Sequence, residues 1–375
     1  MSKDPTFRVL VEAPKRSSVY EDYRKEWDRR ETDLDASDHP VHADIETVAV
    51  CDLRCGSTEE DPKGFCQIWT HEHIRMQGME DFSYQRGYMD PVLYGRLIQQ
   101  CKDIGVSSIK FNYRGEPSLH PRIVSFIREA NALGFPDLMM NTNGNGGARK
   151  NKKLFRQIVE AGITDLMYSV DACDETTYHR QRVGGQWDIL LNSVRESIRA
   201  RDEGKGAKDL KIRASVVRTK INAADLDSGR MEEFWRKEMG VDWMSISECY
   251  LPAGAQHSWQ AAHWTDLTAA EFQCSDPFRR MVVTWDGRHT MPCCQGFTME
   301  IEGGPVVAGA DAPMTTVQKA WLSPNFDRLR NAHRNRTWDS KTNGEPICQS
   351  CAVTKKPTPI QFPKDGRVHL RVLTT

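Results

Sequence analysis

Along the chain, short apolar runs alternate with longer stretches in which apolar positions recur every three or four residues. The runs Ile45–Val50, Ser108–Asn112, Leu138–Asn141, Asp165–Val170, Lys211–Val217 and Met244–Ser247 read as strands. Between them, Pro91–Ile104, Pro121–Leu133, Lys152–Ala161, Gln186–Asp202 and Met231–Met239 read as helices. Such alternation gives parallel strands joined by right-handed crossovers, hence an α/β fold. Six units are too few for a closed eight-stranded barrel. A six-unit partial barrel and an open doubly wound sheet both satisfy the pattern, and in either the functional groups collect at the carboxyl ends of the strands. A helix-like Val19–Arg30 precedes the first strand. After the last, Asp286-Gly287 reads as a hairpin turn and Val317–His333 as a further helix.

The residues that follow each run carry the chemistry. Val50 leads into Cys51-Asp52-Leu53-Arg54-Cys55, and Gly64-Phe65-Cys66 follows a polar insert. The second run opens Asn112-Tyr113-Arg114-Gly115-Glu116-Pro117-Ser118-Leu119-His120-Pro121. The third runs into Asn141-Thr142-Asn143-Gly144, the fourth into Ser169-Val170-Asp171-Ala172-Cys173, and the sixth into Glu248-Cys249-Tyr250. A bare scaffold has no need to load one end of its sheet with polar and ligating groups. Three thiolates on a four-iron cube leave one iron open to a substrate or cofactor, and Cys51, Cys55 and Cys66 suit that arrangement. Their spacing is wide, with Thr58 where a tighter motif places its third cysteine.

Composition narrows the setting. The 375 residues suffice for one large domain and a smaller one. With 51 basic against 52 acidic residues, no bulk electrostatic case exists for nucleic acid or an anionic membrane. No apolar run is long enough to span a bilayer, and Met1–Pro5 lacks the apolar core of a secretory signal. A soluble, cytoplasmic protein is expected. Eleven cysteines in such a chain read as metal or cluster ligands rather than a disulfide framework. Three lie at 51–66 and five at 274–351, while Cys101, Cys173 and Cys249 stand apart, so two metal centres are expected.

In order and spacing these motifs resemble the radical S-adenosylmethionine (radical SAM) superfamily, in the branch with a SPASM or twitch C-terminal extension. The resemblance covers residues 44–354, and Asp174–Arg182 before Val183-Gly184-Gly185 adds to it. It implies a partial (β/α)6 TIM-like barrel over 44–255, a small twitch/SPASM-like cysteine-rich domain over 256–375 and an N-terminal extension over 1–43. It implies a SAM-binding [4Fe-4S] cluster on Cys51, Cys55 and Cys66, with Gly56–Gly64 an insertion and Phe65 near the adenine. Gly115, Glu116 and Pro117 would form the motif that meets the methionyl ammonium, Ser169 and Arg182 would serve the ribose or carboxylate, and Asn143 and Asp171 would contribute to cofactor binding at the strand ends. The plain structural alternatives are Glu116-Pro117 as a turn and Asp171 as the cap of a helix beginning near Glu175. For the trio, the alternative is a degenerate chain without a cluster, Cys66 being an ordinary buried thiol.

On the C-terminal side, Cys274, Cys293 or Cys294, Cys348 and Cys351 supply four ligands for one auxiliary [4Fe-4S] cluster by the same resemblance. Spacing alone admits a four-cysteine zinc site. The implied reaction is reductive cleavage of SAM to a 5′-deoxyadenosyl radical, which abstracts hydrogen from a carbon of a small polar, carbohydrate-like substrate. An electron donor such as flavodoxin or ferredoxin is implied as a partner. If the substrate radical passes its electron to the auxiliary cluster, the outcome is dehydrogenation. If Cys249, or more remotely Cys173, returns a hydrogen atom, the outcome is epimerisation. Both thiols also read as buried structural cysteines. Ribosomal-peptide maturation is a further alternative, for which residues 1–43 are short, and a zinc-binding module is the non-enzymatic one.

Overall fold

The computed structural model describes residues 7–9, 17–56, 64–66, 86–250, 259, 261–293, 306, 317–340, 344, 346–349 and 351–359. Its strands in chain order are β1 (Phe7–Val9), β2 (His42–Ile45), β3 (Arg54–Cys55), β4 (Ser108–Lys110), β5 (Asp137–Thr142), β6 (Asp165–Ser169) and β7 (Arg182–Val183). Then follow β8 (Lys211–Arg218), β9 (Trp243–Glu248), β10 (Ala262–Asp266), β11 (Arg280–Val283), β12 (Thr290–Met291) and β13 (Lys355–Pro359).

Strands β2, β4, β5, β6, β8 and β9 lie side by side, all parallel, in the order in which the chain makes them. A doubly wound sheet reverses direction at a switch point, and this one does not. Each right-handed crossover therefore lays its helix on the same face, and the sheet curls toward a barrel. The fold is a partial (β/α)6 TIM-like barrel with a cysteine-bearing C-terminal part.

The crossover helices form where the period predicts. In Pro91–Asp103, Asp90 caps the amides of Val92 and Leu93, and Tyr94, Leu97, Ile98 and Cys101 bury one stripe. Cys101 is thus a core residue. Ile123–Ala132 buries Ile123, Phe126, Ile127 and Ala130 in the same spacing. On β6, Leu166 and Tyr168 are buried, and the Tyr168 hydroxyl donates to Ser193 O of the helix Trp187–Asp202. The alternation of a strand then turns the half-buried Met167 and Ser169 toward the barrel interior.

Several boundaries differ from the sequence pattern for physical reasons. The first strand covers His42–Ile45 rather than Ile45–Val50. Past it, the backbone leaves β4 and pairs instead with the segment before the next helix, through Met89 N to Thr47 O and Ala49 N to Gly87 O, while the Thr47 hydroxyl donates to Phe111 O and Glu46 holds Arg114. Val317–His333 divides into Val317–Trp321 and Pro324–Arg334, because Pro324 cannot continue a helix and Ser323 caps a new one. The N-terminal helix runs Ser18–Asp33.

The hairpin at Asp286-Gly287 pairs β11 with β12, and β11 also adds to the barrel sheet, parallel to β2. Arg280 of β11 and Lys110 of β4 both meet the fully buried Asp44 of β2, at 2.5 and 3.0 Å. Burial opposes the Asp44 charge, but these two cations hold its carboxyl well below the usual range. At the other edge β1 lies antiparallel to β9.

Candidate active site at the strand ends

The loop after β2 is held against the loop after β4 by backbone contact. Glu116 N donates to Val50 O at 2.8 Å, and a Cβ on Gly115 would stand 2.2 Å from Val48 O and 2.7 Å from Val50 O. Only glycine permits that approach. Glu116 then caps the short 3-10 turn Pro117–Leu119 through Ser118 N at 3.0 Å, and Pro117 is buried as its first residue. The carboxylate also accepts from the Thr142 hydroxyl at 2.6 Å and from Asn143 N at 2.6 Å. Three donors leave one of its four acceptor positions open. Burial, helped by the Asp52 charge, pushes this carboxyl up to about 7.

Asn143 ties that knot to the cysteine loop. Its side-chain amide donates to Asp52 Oδ1 at 2.8 Å and approaches Cys51 Sγ at 3.9 Å, while its Oδ1 accepts from Asn145 N. Arg149 braces the other Asp52 oxygen at 3.1 Å and reaches Gly184 O. Two-stranded pairing of β3 with β7 sets Cys55 opposite Arg182. The Arg182 guanidinium donates to Cys55 Sγ at 3.2 Å and pairs with Asp171 at 2.5 Å. Its Nε is buried with no hydrogen-bond partner.

The Cys66 thiol hydrogen-bonds Cys55, and this contact draws the Cys55 thiol down to about 7, with Arg182 adding to it against burial. Burial and the neighbouring Cys55 push the Cys51 thiol up. The three thiols of the sequence motif are therefore brought together, despite the insert. Phe65 folds back onto this loop: its amide donates to Cys55 O, and a Cβ on Gly56 (φ +74°) would lie 2.4 Å from its ring. Three crowded sulfurs, two of them receiving N–H donors from Arg182 and Asn143, fit an iron–sulfur cluster, whose thiolates accept such bonds.

Asp171 is fully buried in the left-handed region (φ 56°). Oδ1 accepts from Val217 N at 2.7 Å, and its carbonyl accepts from Gln181 and Asn222. Burial raises its carboxyl, with Arg182 opposing. It does not cap the helix Glu175–Gln181; Asp174 does, through Thr177 N at 2.9 Å. Ser169 is half buried at the end of β6. Cys249 packs with Trp259, Phe65, Val217 and Ile221, next to the cysteine loop. Burial, then Asp171 and Glu248, push its thiol up to about 12. Cys173 is elsewhere, within ligand distance of Asp174 and Asp225. Those carboxylates are engaged with Thr177 and Arg230, so that cluster is accounted for structurally.

The second cysteine set also converges. Cys274, Cys293, Cys348 and Cys351 line one cavity with Asp276, Pro277 and His333. Cys294 lies outside the described residues. Burial, then Asp276, Cys293 and Cys351, push the Cys274 thiol well up, so a cation is the natural way to ionise this set. The sequence pattern did not single out Asp52, Thr142, Arg149 or His333. Each is a polar residue in a loop or at the end of a strand or helix, and only spatial proximity to a cysteine, to Asp52 or to Glu116 distinguishes it.

No protein-family model matches the chain. A tungsten-containing aldehyde ferredoxin oxidoreductase cofactor-modifying protein of Pyrococcus furiosus is 24% identical over 208 residues, 54% of this chain and 50% of the relative. Probable GTP 3′,8-cyclases of Saccharolobus islandicus are 26% identical over 123 residues, 33% of this chain and 37% of theirs. The chain thus spans half or less of the length of these curated relatives. The crystal structure of BtrN with AdoMet and 2-DOIA is similar at a TM-score of 0.46 and 16% identity, over 79% of this chain and 87% of that one. Streptococcus suis SuiB bound to S-adenosylmethionine is similar at 0.46 and 15% identity, over 89% and 75%. Among the described residues, no helix is long and apolar enough to cross a membrane.

Proposed function

We propose that the chain is a radical SAM oxidoreductase that dehydrogenates a small polar, carbohydrate-like substrate. The observation that carries oxidation is the second thiol set, Cys274, Cys293, Cys348 and Cys351, gathered in one cavity where an electron-accepting cluster would sit. When bound, the cluster on Cys51, Cys55 and Cys66 and its SAM supply the hydrogen-abstracting carbon radical. The chain's own residues position that chemistry. Glu116 offers its remaining acceptor position to the SAM ammonium. Arg182 holds Cys55 and Asp171 while its unpartnered Nε would receive the SAM carboxylate, and Ser169 would supply a hydroxyl from the barrel interior. Phe65 lies beside the cysteine loop, in reach of the adenine. By chemistry the chain divides into residues 44–255 as the SAM-cleaving barrel and 256–375 as the auxiliary part, with 1–43 an extension, although β11 and β12 continue the barrel sheet.

Epimerisation is the second reading, and one observation favours it. Cys249 lies with Phe65 and Trp259, and a hydrogen-atom donor must carry its S–H, which burial preserves. The test of the leading reading is anaerobic purification with iron analysis and electron paramagnetic resonance (EPR), with and without SAM. About eight iron per chain and one SAM-responsive signal are expected. A colourless zinc protein that forms no 5′-deoxyadenosine under reduction refutes it. Running the true substrate in deuterated water separates the two outcomes, since solvent deuterium in an inverted product indicates epimerisation.

A further inference from the structure

His333, on the helix Pro324–Arg334, is fully buried inside the ring of C-terminal cysteines. Its Nδ1 faces the amide of Cys274, whose N–H donates to it at 3.2 Å. Its Nε2 faces Cys348 Sγ at 3.4 Å. The first contact decides the second. A backbone amide is always a donor, so Nδ1 must present its lone pair and carry no proton. An imidazolium would set two donors head-on and is excluded on the same ground. The ring is therefore neutral with its proton on Nε2, and that proton points at the Cys348 sulfur. An Nε2 that carries a proton cannot ligate a metal.

We propose that His333 is a positioning residue of the C-terminal four-thiol centre: a tautomer-locked N–H donor to the Cys348 thiolate, and not a ligand. The inference rests on the reading of that centre as an auxiliary iron–sulfur cluster. Hydrogen bonds to cluster sulfurs stabilise the more negative, reduced state and so raise the reduction potential. A higher potential favours the centre as acceptor of the substrate's second electron. The protein fold supplies this donor at a fixed place, since Trp338 packs beside the ring and donates to Phe272 O while Gln273 holds the His333 carbonyl.

The experiment is an EPR-monitored redox titration of the anaerobic holoprotein without SAM, on wild type, His333→Leu and His333→Gln, with iron analysis of each. The SAM-responsive signal identifies the N-terminal cluster, so the two centres are read separately. His333→Leu is expected to keep its full iron and to shift only the C-terminal midpoint to lower potential. His333→Gln, whose side-chain amide can still donate, is expected to lie between it and wild type. Selective loss of C-terminal iron in His333→Leu would make His333 a ligand and overturn the proposal, as would an unmoved midpoint. A wild-type protein without iron sinks the cluster reading instead, and the hydrogen bond is then tested alone. For that, 15N resonances of the His333 ring in the zinc-loaded chain must show the proton on Nε2; a proton on Nδ1 refutes the donor. The same measurement serves if His333→Leu fails to fold.

Discussion

Glu116→Gln tests the cofactor site at its most constrained point. The carboxylate accepts two donors on Oε1, Ser118 N and the Thr142 hydroxyl, and one on Oε2, Asn143 N. An amide in its place must turn an NH2 toward one of these ends. The less damaging orientation sets it against Asn143 N, leaving a buried backbone donor facing another donor. That costs about 1–3 kcal/mol of folding stability. The SAM ammonium would lose a charge-assisted hydrogen bond of about 1.5–3 kcal/mol, which at about 1.4 kcal/mol per decade weakens SAM binding roughly 10- to 100-fold. Calorimetric titration of SAM into the anaerobic, unreduced protein measures the second effect, and urea unfolding measures the first. Thr142→Val is the control: it removes one donor to Oε1 but keeps the charge, so it should lower stability by about 1 kcal/mol and leave SAM affinity near wild type. An unchanged SAM Kd in Glu116→Gln would refute the ammonium role.

Other outcomes follow from the same contacts. SAM affinity should rise with pH through about 7, because burial has raised the Glu116 carboxyl to about 7 and only its ionised form meets the ammonium; Glu116→Gln should abolish that dependence. The sign for folding is opposite: a raised carboxyl makes the apoprotein lose stability as pH climbs from the ordinary carboxylate range through about 7, measurable by thermal unfolding across that window. Asp44→Asn removes the buried counter-charge of Lys110 and leaves Arg280 its longer pair with Asp276 at 3.4 Å, and should cost up to about 3–5 kcal/mol by chemical denaturation; a cost near zero would show that the β2–β11 seam does not depend on this cluster. Gly115→Ala forces a Cβ into Val48 O and should lower both stability, by about 1–3 kcal/mol, and SAM affinity. Cys249→Ala should leave turnover intact if the reaction is dehydrogenation, and should abolish deuterium incorporation if it is epimerisation.

The barrel was legible because its strands and helices bury what their periods say they bury. Leu97, Ile98 and Cys101 on one helix and Leu166 and Tyr168 on one strand are read directly from spacing. The choice between a partial barrel and a doubly wound sheet was not legible, since it depends on which strands become neighbours and not on what each strand is. The same holds for β11: nothing in Arg280–Val283 indicates that it will pair with a strand more than two hundred residues earlier. Within the site, residues named from the chain have their partners from outside their own motifs. Asn143 was singled out from its strand end, yet its amide serves Asp52 and approaches Cys51 rather than facing open space. His333 was invisible because a lone histidine on a helix carries no spacing signal until Cys274 and Cys348 close around it.

Arg182 shows how a residue expected for one task takes two. A guanidinium offers five N–H groups in a fixed plane. One on Nη1 goes to Cys55 and one on Nη2 to Asp171, which leaves the Nε edge, buried and unpartnered, for an anion. Asp171 is fixed in turn by Val217 N, and its carbonyl by Gln181 and Asn222, so the guanidinium plane cannot swing to follow a ligand. A carboxylate that binds the Nε edge must therefore come to the plane that Cys55 and Asp171 define. On the proposed reading, one cation would hold a cluster thiolate and receive the SAM carboxylate together. Replacing Arg182 by lysine keeps the charge but loses the plane. SAM binding should fall even in a variant that retains its iron, and retention of both would show that charge alone suffices.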